Sequence, residues 1–446
     1  MNESSIHAAS LIGPIQYDTE ARQSKTNRAQ IADAAPASAA AGSITADSIT
    51  ADSHAAERSS DELPKRGVIR RGIGFLTWGI SGSFAIVSMI VCLAFIAAVP
   101  ILQLVTFGYL LDVAGGLAGG RKLRDSLPKL ESFKRIGIVA GAVVIGAIPV
   151  QVLVHLESVA ALVDPGSNQA GRLRTFAMIA AIAAMFYLLW ALARGARLID
   201  FLWPQPIGMI RRGWRPSTYR ELPDRLWSFT RSLQLPKYFW LGLRGAIGTL
   251  IWLVPAMIII ATNRNGETGL AGLVGILAGV ALGIVLMYLP MLQAHFAAEN
   301  RFRALFEVRR IRRLFCYAPW AWFGAMLLSL VLFPIPLYLL KIEALPREVA
   351  WLPTLVFVAF ILPARLSAGL ALRRAKQIAA NFEDGALKPQ TWTNFWSRWT
   401  VRLLMPVIVG IYLAFVTLSQ YTSWDGLQTW VQQHAVLVPI PFINGV

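Results

Sequence analysis

Eight apolar stretches of about helix-spanning length or longer follow one another from Phe75 to Ser419 with short basic segments between them. A backbone in hydrocarbon must satisfy its polar groups internally, so a chain with this pattern is restricted to helices or a closed barrel. Runs of about 20 residues select helices, since a barrel strand needs only about 10. The expected fold is all-α, a polytopic transmembrane helical bundle. Hydrophobic residues make up 55% of the 446 residues and charged ones only 15%, as that class requires.

The first stretch, "FLTWGISGSFAIVSMIVCLAFIAAVPILQLVTFGYLLD" from Phe75 to Asp112, carries no charge before its last residue and has Pro100 within it. Seven further runs are placed near Ile136 to Val154, Thr175 to Leu192, Leu241 to Ala261, Leu270 to Leu289, Trp320 to Leu340, Val349 to Leu372 and Leu403 to Ser419. About seven full spans plus one proline-broken opening segment are therefore expected.

The connections set an orientation. "RKLRDSLPKLESFKR" carries six Lys/Arg, the segment from Arg194 to Lys237 nine, "RFRALFEVRRIRR" six and the stretch from Arg373 to Arg402 six. The intervening loops are nearly balanced or poor in cations, and the tail after Ser419 has no Lys or Arg. By the positive-inside rule the basic loops face the cytoplasm and the C-terminus lies outside, in a bacterial inner membrane. The opening run breaks this order, because "KRGVIRR" precedes it and "RKLRD" follows it. Two limbs of about 13 residues would each span only about 20 Å of a 30 Å core. A re-entrant hairpin turning near Pro100 fits both flanks, and a single tilted helix kinked at Pro100 is the rival reading.

Residues 1–64 differ from residues 65–446. They hold four Lys/Arg and nine Asp/Glu, net −5, which leaves +22 on the remainder of a chain whose total is +17. Rich in Ala, Ser, Thr and Asp, with a tandem "SITAD SITAD", this segment has too little apolar surface to offset its chain entropy and is expected to be a disordered cytoplasmic tail. The cations beyond it lie in loops beside spans, so topology explains them and nucleic-acid binding is not expected.

The segment from residue 194 to 240 interleaves Trp203, Trp214, Trp227 and Trp240 with arginines and prolines. Aromatic rings suit the headgroup zone and cations suit anionic lipid, so Arg211, Arg212, Trp214, Arg215, Arg220, Trp227, Arg231 and Lys237 form a candidate surface for acidic headgroups. Trp424 and Trp430 suggest a short interfacial helix on the opposite face.

Ionisable residues at membrane depth point to function. His155, Glu157, Arg244, His295 and Glu299 are the candidates, together with Arg365, and each is expected to reach an interface by snorkelling. His295 and Glu299, four apart, share a helix face, but two ligands without a partner cluster do not make a metal site. Cys92 and Cys316 fit apolar thiols better than a disulfide or thiolate site. No phosphate loop, dinucleotide turn, zinc motif or nucleophile–base context occurs, so neither a cofactor nor a catalytic residue is expected.

Two spacing patterns concern packing. Gly275, Gly279 and Gly283, with Gly272 close by, leave one helix face without side chains, as do Gly137 and Gly141, and close approach within the monomer is expected. "VPILQ", "LPMLQ" and "LPARL" each place a proline, Pro100, Pro290 or Pro363, shortly before a basic exit from a span. The echo fits either an internal duplication or recurrent proline at membrane boundaries.

The stretch "VPILQLVTFGYLLDVAGGLAGGRKLRDSLPKLESF" resembles the opening signature of an uncharacterised bacterial and archaeal integral-membrane family, domain-of-unknown-function family 4013. The likeness rests on a Gly-Tyr pair (Gly108, Tyr109), a basic linker, and Leu127, Pro128, Glu131 and Phe133. "LPMLQAHFAAENRFRALFEVRRIRR" is similar to a later element of that family. The chain lacks the Trp that usually follows Leu-Pro there, and the Trp/Arg segment has no counterpart in the pattern. The resemblance implies architecture and no reaction. The expectation is a non-enzymatic protein that organises or senses the bilayer through its basic aromatic surface, with a transporter for a small or lipidic substrate as the alternative.

Overall fold

The computed structural model describes residues 66–164, 166–203, 205–212, 215–262, 271–334, 351–383, 391–420 and 437. The expectations for residues 1–64 and for Trp214, Trp424 and Trp430 lie outside these. By contacts the chain divides at Ile73, and the unit that begins at Gly74 holds the helical bundle. Among the described residues every regular element is helical. The helices are α1 (Arg66–Ala98), α2 (Gln103–Ala118), α3 (Leu130–Val163), α4 (Asn168–Arg194), α5 (Leu198–Leu202), α6 (Pro206–Arg212), α7 (Leu222–Ser232), α8 (Leu235–Thr262), α9 (Ala271–Glu299), α10 (Val308–Phe315), α11 (Pro319–Met326), α12 (Trp351–Glu383) and α13 (Thr391–Gln420).

Among the described residues, seven helices are long and apolar enough to cross a bilayer: α1, α3, α4, α8, α9, α12 and α13. The expected number holds, but its membership changes. The described part of the run at Trp320 belongs to the helix from Pro319 to Leu332, which forms with α10 a pair bent by 112° just before it, and residues 335–340 of that run lie outside the described residues. The second member also passes from α-helix into a π-helix over Leu327–Leu332. Cys316, Tyr317 and Ala318 fill the break between the two, before Pro319 starts the next helix.

The opening run is a helical hairpin. Thr106 Oγ1 donates to Leu93 O at 2.9 Å, and the Tyr109 hydroxyl lies 3.0 Å from Met89 Sδ, so residues pair about a midpoint near Val99. The turn Val99–Leu102 contains Pro100, and it places Ile101, a β-branched residue, at φ 71°. The limbs are unequal, contrary to the sequence expectation. The apolar part of α1, Gly79–Ala98, is itself of span length. Only α2 is short, at 16 residues or about 24 Å. A down-and-back path brings the start of the apolar part of α1 and the end of α2 back toward the same end of the hairpin.

The short helix α2 is the centre of the bundle. Every residue from Val105 to Ala118 is buried, against α8, α9 and α12. Backbones meet there because glycines face one another. A Cβ on Gly108 would lie 1.8 Å from Tyr238 O, and one on Gly242 would lie 1.9 Å from Leu104 O. Gly115 meets Ala297 and Gly369 meets Ala114 O in the same way. The glycines singled out by spacing behave differently. Gly137 packs on Ser88 and Gly283 on Val409, but nothing stands within 4 Å of a Cβ on Gly141, Gly275 or Gly279. For those three the expected close packing within the monomer is not found, because their faces point away from the bundle.

Around this centre, α3 and α4 form a long antiparallel pair. None of the most apolar window of α3 is buried, and Val144, Ile145 and Ile148 stand exposed, as side chains facing hydrocarbon would.

Candidate functional site

The basic aromatic segment begins where α4 ends. Arg194 pairs with Asp200 at 3.0 Å and donates to Trp203 O at 2.8 Å, and Tyr187 donates to Phe201 O, so α5 is tied to the end of α4. From there to α7 the chain runs in short helices whose large apolar residues find no protein cover. Leu198, Ile199, Leu202, Trp203, Ile207 and Ile210 are all at least half exposed, as are Leu226 and Trp227 on α7. Arg211, Arg212, Arg215 and Arg220 are exposed among them. Arg231 lies with its guanidinium 5.1 Å from the Trp227 ring centre, and α7 has no buried residue. Such a surface, apolar and cationic at once, matches the boundary between acyl chains and headgroups.

Lys237 belongs elsewhere. It reaches Asp112 on α2 at 3.2 Å, and Arg121 reaches the other oxygen of that carboxylate at 3.3 Å. Asp112, with a side chain 8% exposed, thereby joins the centre of the bundle to the start of α8. Sequence reasoning treated Asp112 only as the end of an apolar run. One acid among fourteen apolar or small neighbours was the available signal.

The candidate polar residues separate into groups. His155 is exposed and Glu157 half-buried on α3, about 38 Å and 41 Å along that helix from Leu130, beyond the thickness of a hydrocarbon core. Arg244 donates to Asn300 Oδ1 at 2.7 Å and lies 5.9 Å from the Phe296 ring centre, at the end of α9. His295 and Glu299 share a face but not a ligand. His295 Nε2 stands 3.0 Å from Glu307, whereas Glu299 pairs with Arg301, Arg310 and Lys376 at 3.0, 3.6 and 3.8 Å. Among the described residues no group of three or more metal-ligating side chains forms. His295 Nδ1 is buried without a partner, so the neutral ring with its proton on Nε2, donated to Glu307, is the form that fits. This hydrogen bond holds the Glu307 carboxyl below its ordinary range.

Arg365 corrects the expectation of snorkelling. It is 4% exposed, and about 21 Å and 27 Å of helix separate it from the two ends of α12, more than its side chain can span. It donates to Gln293 Oε1 on α9, and its guanidinium carbon lies 5.3 Å from the Phe107 ring centre on α2. An arginine only donates, so the Gln293 oxygen must face it and the amide nitrogen must face away. That nitrogen donates to Thr249 Oγ1 on α8 at 2.6 Å and to Leu437 O at 3.0 Å. Thr249 passes its own proton to Gly245 O at 2.8 Å. Four helices thus close round a polar centre in an apolar core. Leu437, fully buried, lies in that core.

The described cavities do not contain these groups. One, of about 690 Å³, is an open apolar groove between Leu102 and Val105 on one side and Leu235, Pro236, Phe239 and Trp240 on the other. The second, of about 30 Å³, lies between the opening hairpin, the start of α3 and the start of α8, beside Tyr109. The Tyr109 hydroxyl donates to Pro128 O at 2.9 Å, and its ring meets Phe133 and Tyr238 edge-on.

No curated protein and no solved structure matches the chain. A family model described as "Protein of unknown function (DUF4013)" matches residues 213–342. The match takes in Leu289–Arg313, one of the two segments on which the sequence likeness rests, and much of the Trp/Arg segment that had no counterpart in the pattern. It leaves out the Gly108–Tyr109 segment. From α7 through α11, which includes Thr249, Gln293 and Glu307 but not Arg365, the chain is similar to that family of unknown function.

Proposed function

We propose that this multi-pass membrane protein is non-enzymatic and that it organises or senses the bilayer by seating the segment from Leu198 to Arg231 among anionic headgroups. The observation that carries the reading is the exposure of Leu202, Trp203, Ile207, Ile210 and Trp227 between exposed arginines. Water would disfavour that arrangement, whereas an anionic interface favours both halves of it. Orientation is read from the same charges: basic loops in the cytoplasm, C-terminus outside, inner membrane. Retention of phosphatidylglycerol, measured by native mass spectrometry of protein released from mixed nanodiscs, tests this reading. Wild-type protein keeps it in preference to phosphatidylcholine, and replacing Arg211, Arg212, Arg215, Arg220 and Arg231 by Gln abolishes the preference. Equal retention by both proteins refutes the reading.

A transporter is the second reading, favoured by the buried Arg365–Gln293–Thr249 centre among proline-containing helices. Solute flux in proteoliposomes that disappears on Gln293→Leu would support it over the first.

A further inference from the structure

The open groove between the turn of the opening hairpin and the start of α8 measures about 690 Å³, inside the range of about 300–1,000 Å³ usual for ligand clefts. Its walls suit hydrocarbon. The six lining side chains, Leu102, Val105, Leu235, Pro236, Phe239 and Trp240, are aliphatic or aromatic, and the Trp240 indole N–H is the one side-chain donor among them. The backbone behind them is satisfied without outside partners. On the hairpin side the N–H groups of Leu102, Gln103, Leu104 and Val105 donate to the carbonyls of Pro100, Val99, Ile101 and Leu102 at 2.9, 3.2, 3.1 and 2.8 Å. On the α8 side Pro236 has no N–H to satisfy, and Lys237 and Tyr238 both donate to Gln234 O. A polar solute gains little from such walls, whereas an acyl chain loses nothing there.

Cations stand beside one end of the groove. It shares Val105 and Leu235 with the small cavity next to Tyr109, and Lys129 and Tyr238 lie on the wall of that cavity. The Lys237 ammonium is 5.3 Å from the Tyr238 ring centre. Lys237 and Arg121 share the single carboxylate of Asp112, and among the described residues no acid pairs with Lys129. Positive charge is therefore in excess where the two cavities meet.

We propose that the groove holds one acyl chain of an anionic phospholipid whose phosphate lies against Lys129 and Lys237. The chain passes Val105 and Leu235 and runs on between Leu102 and Trp240. A phospholipid joins an apolar chain to an anionic head in one molecule, which is the combination that these two neighbouring surfaces call for. The inference goes beyond the lipid-surface reading, which concerns headgroups alone, and none of its residues lies between Leu198 and Arg231.

Photocrosslinking of the full chain in mixed nanodiscs tests it, with a diazirine on the acyl chain of phosphatidylglycerol or of phosphatidylcholine and the labelled peptides mapped by mass spectrometry. The phosphatidylglycerol probe is expected to label residues 102–105 and 235–240 above the lipid-facing α3, and above the phosphatidylcholine probe. Leu102→Trp fills the groove from a half-exposed position, so labelling of residues 235–240 should fall to the level of α3. Leu102→Phe carries the same expectation if the larger ring prevents folding. Lys129→Gln should lower the preference for phosphatidylglycerol roughly fivefold, the change for about 1 kcal/mol from one lysine beside anionic lipid. The proposal is overturned by groove labelling no greater than that of α3, by equal labelling with the two probes, or by labelling that responds to neither substitution. A groove protected from both probes in a protein that native mass spectrometry shows to be a dimer also overturns it, since a second copy would then be the occupant. The lipid-surface reading fails separately, because the arginine-to-glutamine protein keeps Lys129, Lys237 and the groove and should be labelled there as wild type is.

Discussion

Replacing Gly108 by Ala should separate two helices that now touch backbone to backbone. The added carbon would lie 1.8 Å from Tyr238 O and 2.8 Å from Gly242 N. An ordinary contact needs about 3.2–3.5 Å, so α2 must move from α8 by more than 1 Å, and neither obstacle is a flexible side chain that could turn aside. Overpacking of a well-filled core costs typically 1–3 kcal/mol. Here the shift also loosens the contacts of Phe107 and Leu111 with α8, so about 3 kcal/mol, the top of that range, is expected. Gly275→Ala and Gly279→Ala serve as controls, since nothing stands within 4 Å of either position. Alanine is the better helix former, so these variants should match wild type or gain up to about 1 kcal/mol. Denaturation midpoints in mild detergent, followed by tryptophan fluorescence, compare the three. A Gly108→Ala protein as stable as wild type refutes the argument, and so does a loss of the same size at Gly275 or Gly279.

Ile101→Gly should stabilise the hairpin by about 1 kcal/mol, because a β-branched residue is held at φ 71°, and the thermal midpoint reads this directly. With Cys92 and Cys316 replaced by Ala, a membrane-impermeant maleimide should reach Gly74→Cys and Gly120→Cys from one side and Ile101→Cys from the other. Access to Gly74→Cys and Gly120→Cys from opposite sides would rule the hairpin out. Asp112→Asn removes the charge that joins Arg121 and Lys237; both cations are about half exposed, so a cost of about 1–2 kcal/mol is expected, and an unchanged midpoint would contradict the pairing. The Glu307 carboxyl is held below its ordinary value of 4.5 by the His295 hydrogen bond. Its contribution is therefore complete above that pH and lost as pH falls through the folded-state value, so the stability advantage of wild type over Glu307→Gln should be full near neutrality and shrink in acid. An advantage that grows on acidification would show that the bond has the opposite polarity.

Hydropathy made the helical class and the number of spans legible, because burying a backbone in hydrocarbon leaves few alternatives. Charge on both flanks of the first run indicated a return path, and the Leu93–Thr106 pairing has that geometry. What hydropathy could not show was which helix would be central. Helix α2 is the shortest of the apolar helices longer than ten residues, and it is buried because its own Gly108 and Gly115, with Gly242 on α8 and Gly369 on α12, let its partners approach it. Glycine spacing pointed instead to α9, where Gly275 and Gly279 repeat regularly but face outward. A repeat of small residues records that a close approach is allowed, not that a neighbour is present. The exposed Trp/Arg segment was legible for the opposite reason, since its residues act on the solvent around them and need no partner to be identified.

The polar centre was hidden by the way a span is delimited. The span placed at Leu270–Leu289 stopped short of Gln293, three residues after Pro290, and Arg365, two after Pro363 and inside the span placed at Val349–Leu372, was expected to snorkel to an interface. In the folded chain α9 continues six residues past Gln293 and α12 eighteen past Arg365. The prolines are therefore inside helices, and the polar residues just beyond them turn toward the core. Gln103, three after Pro100, has the same spacing and a buried oxygen. A proline removes one backbone hydrogen bond and leaves a carbonyl to be satisfied by some other donor. Long helices that continue past a proline can therefore carry a buried amide or guanidinium into the core, as α9 and α12 do with Gln293 and Arg365.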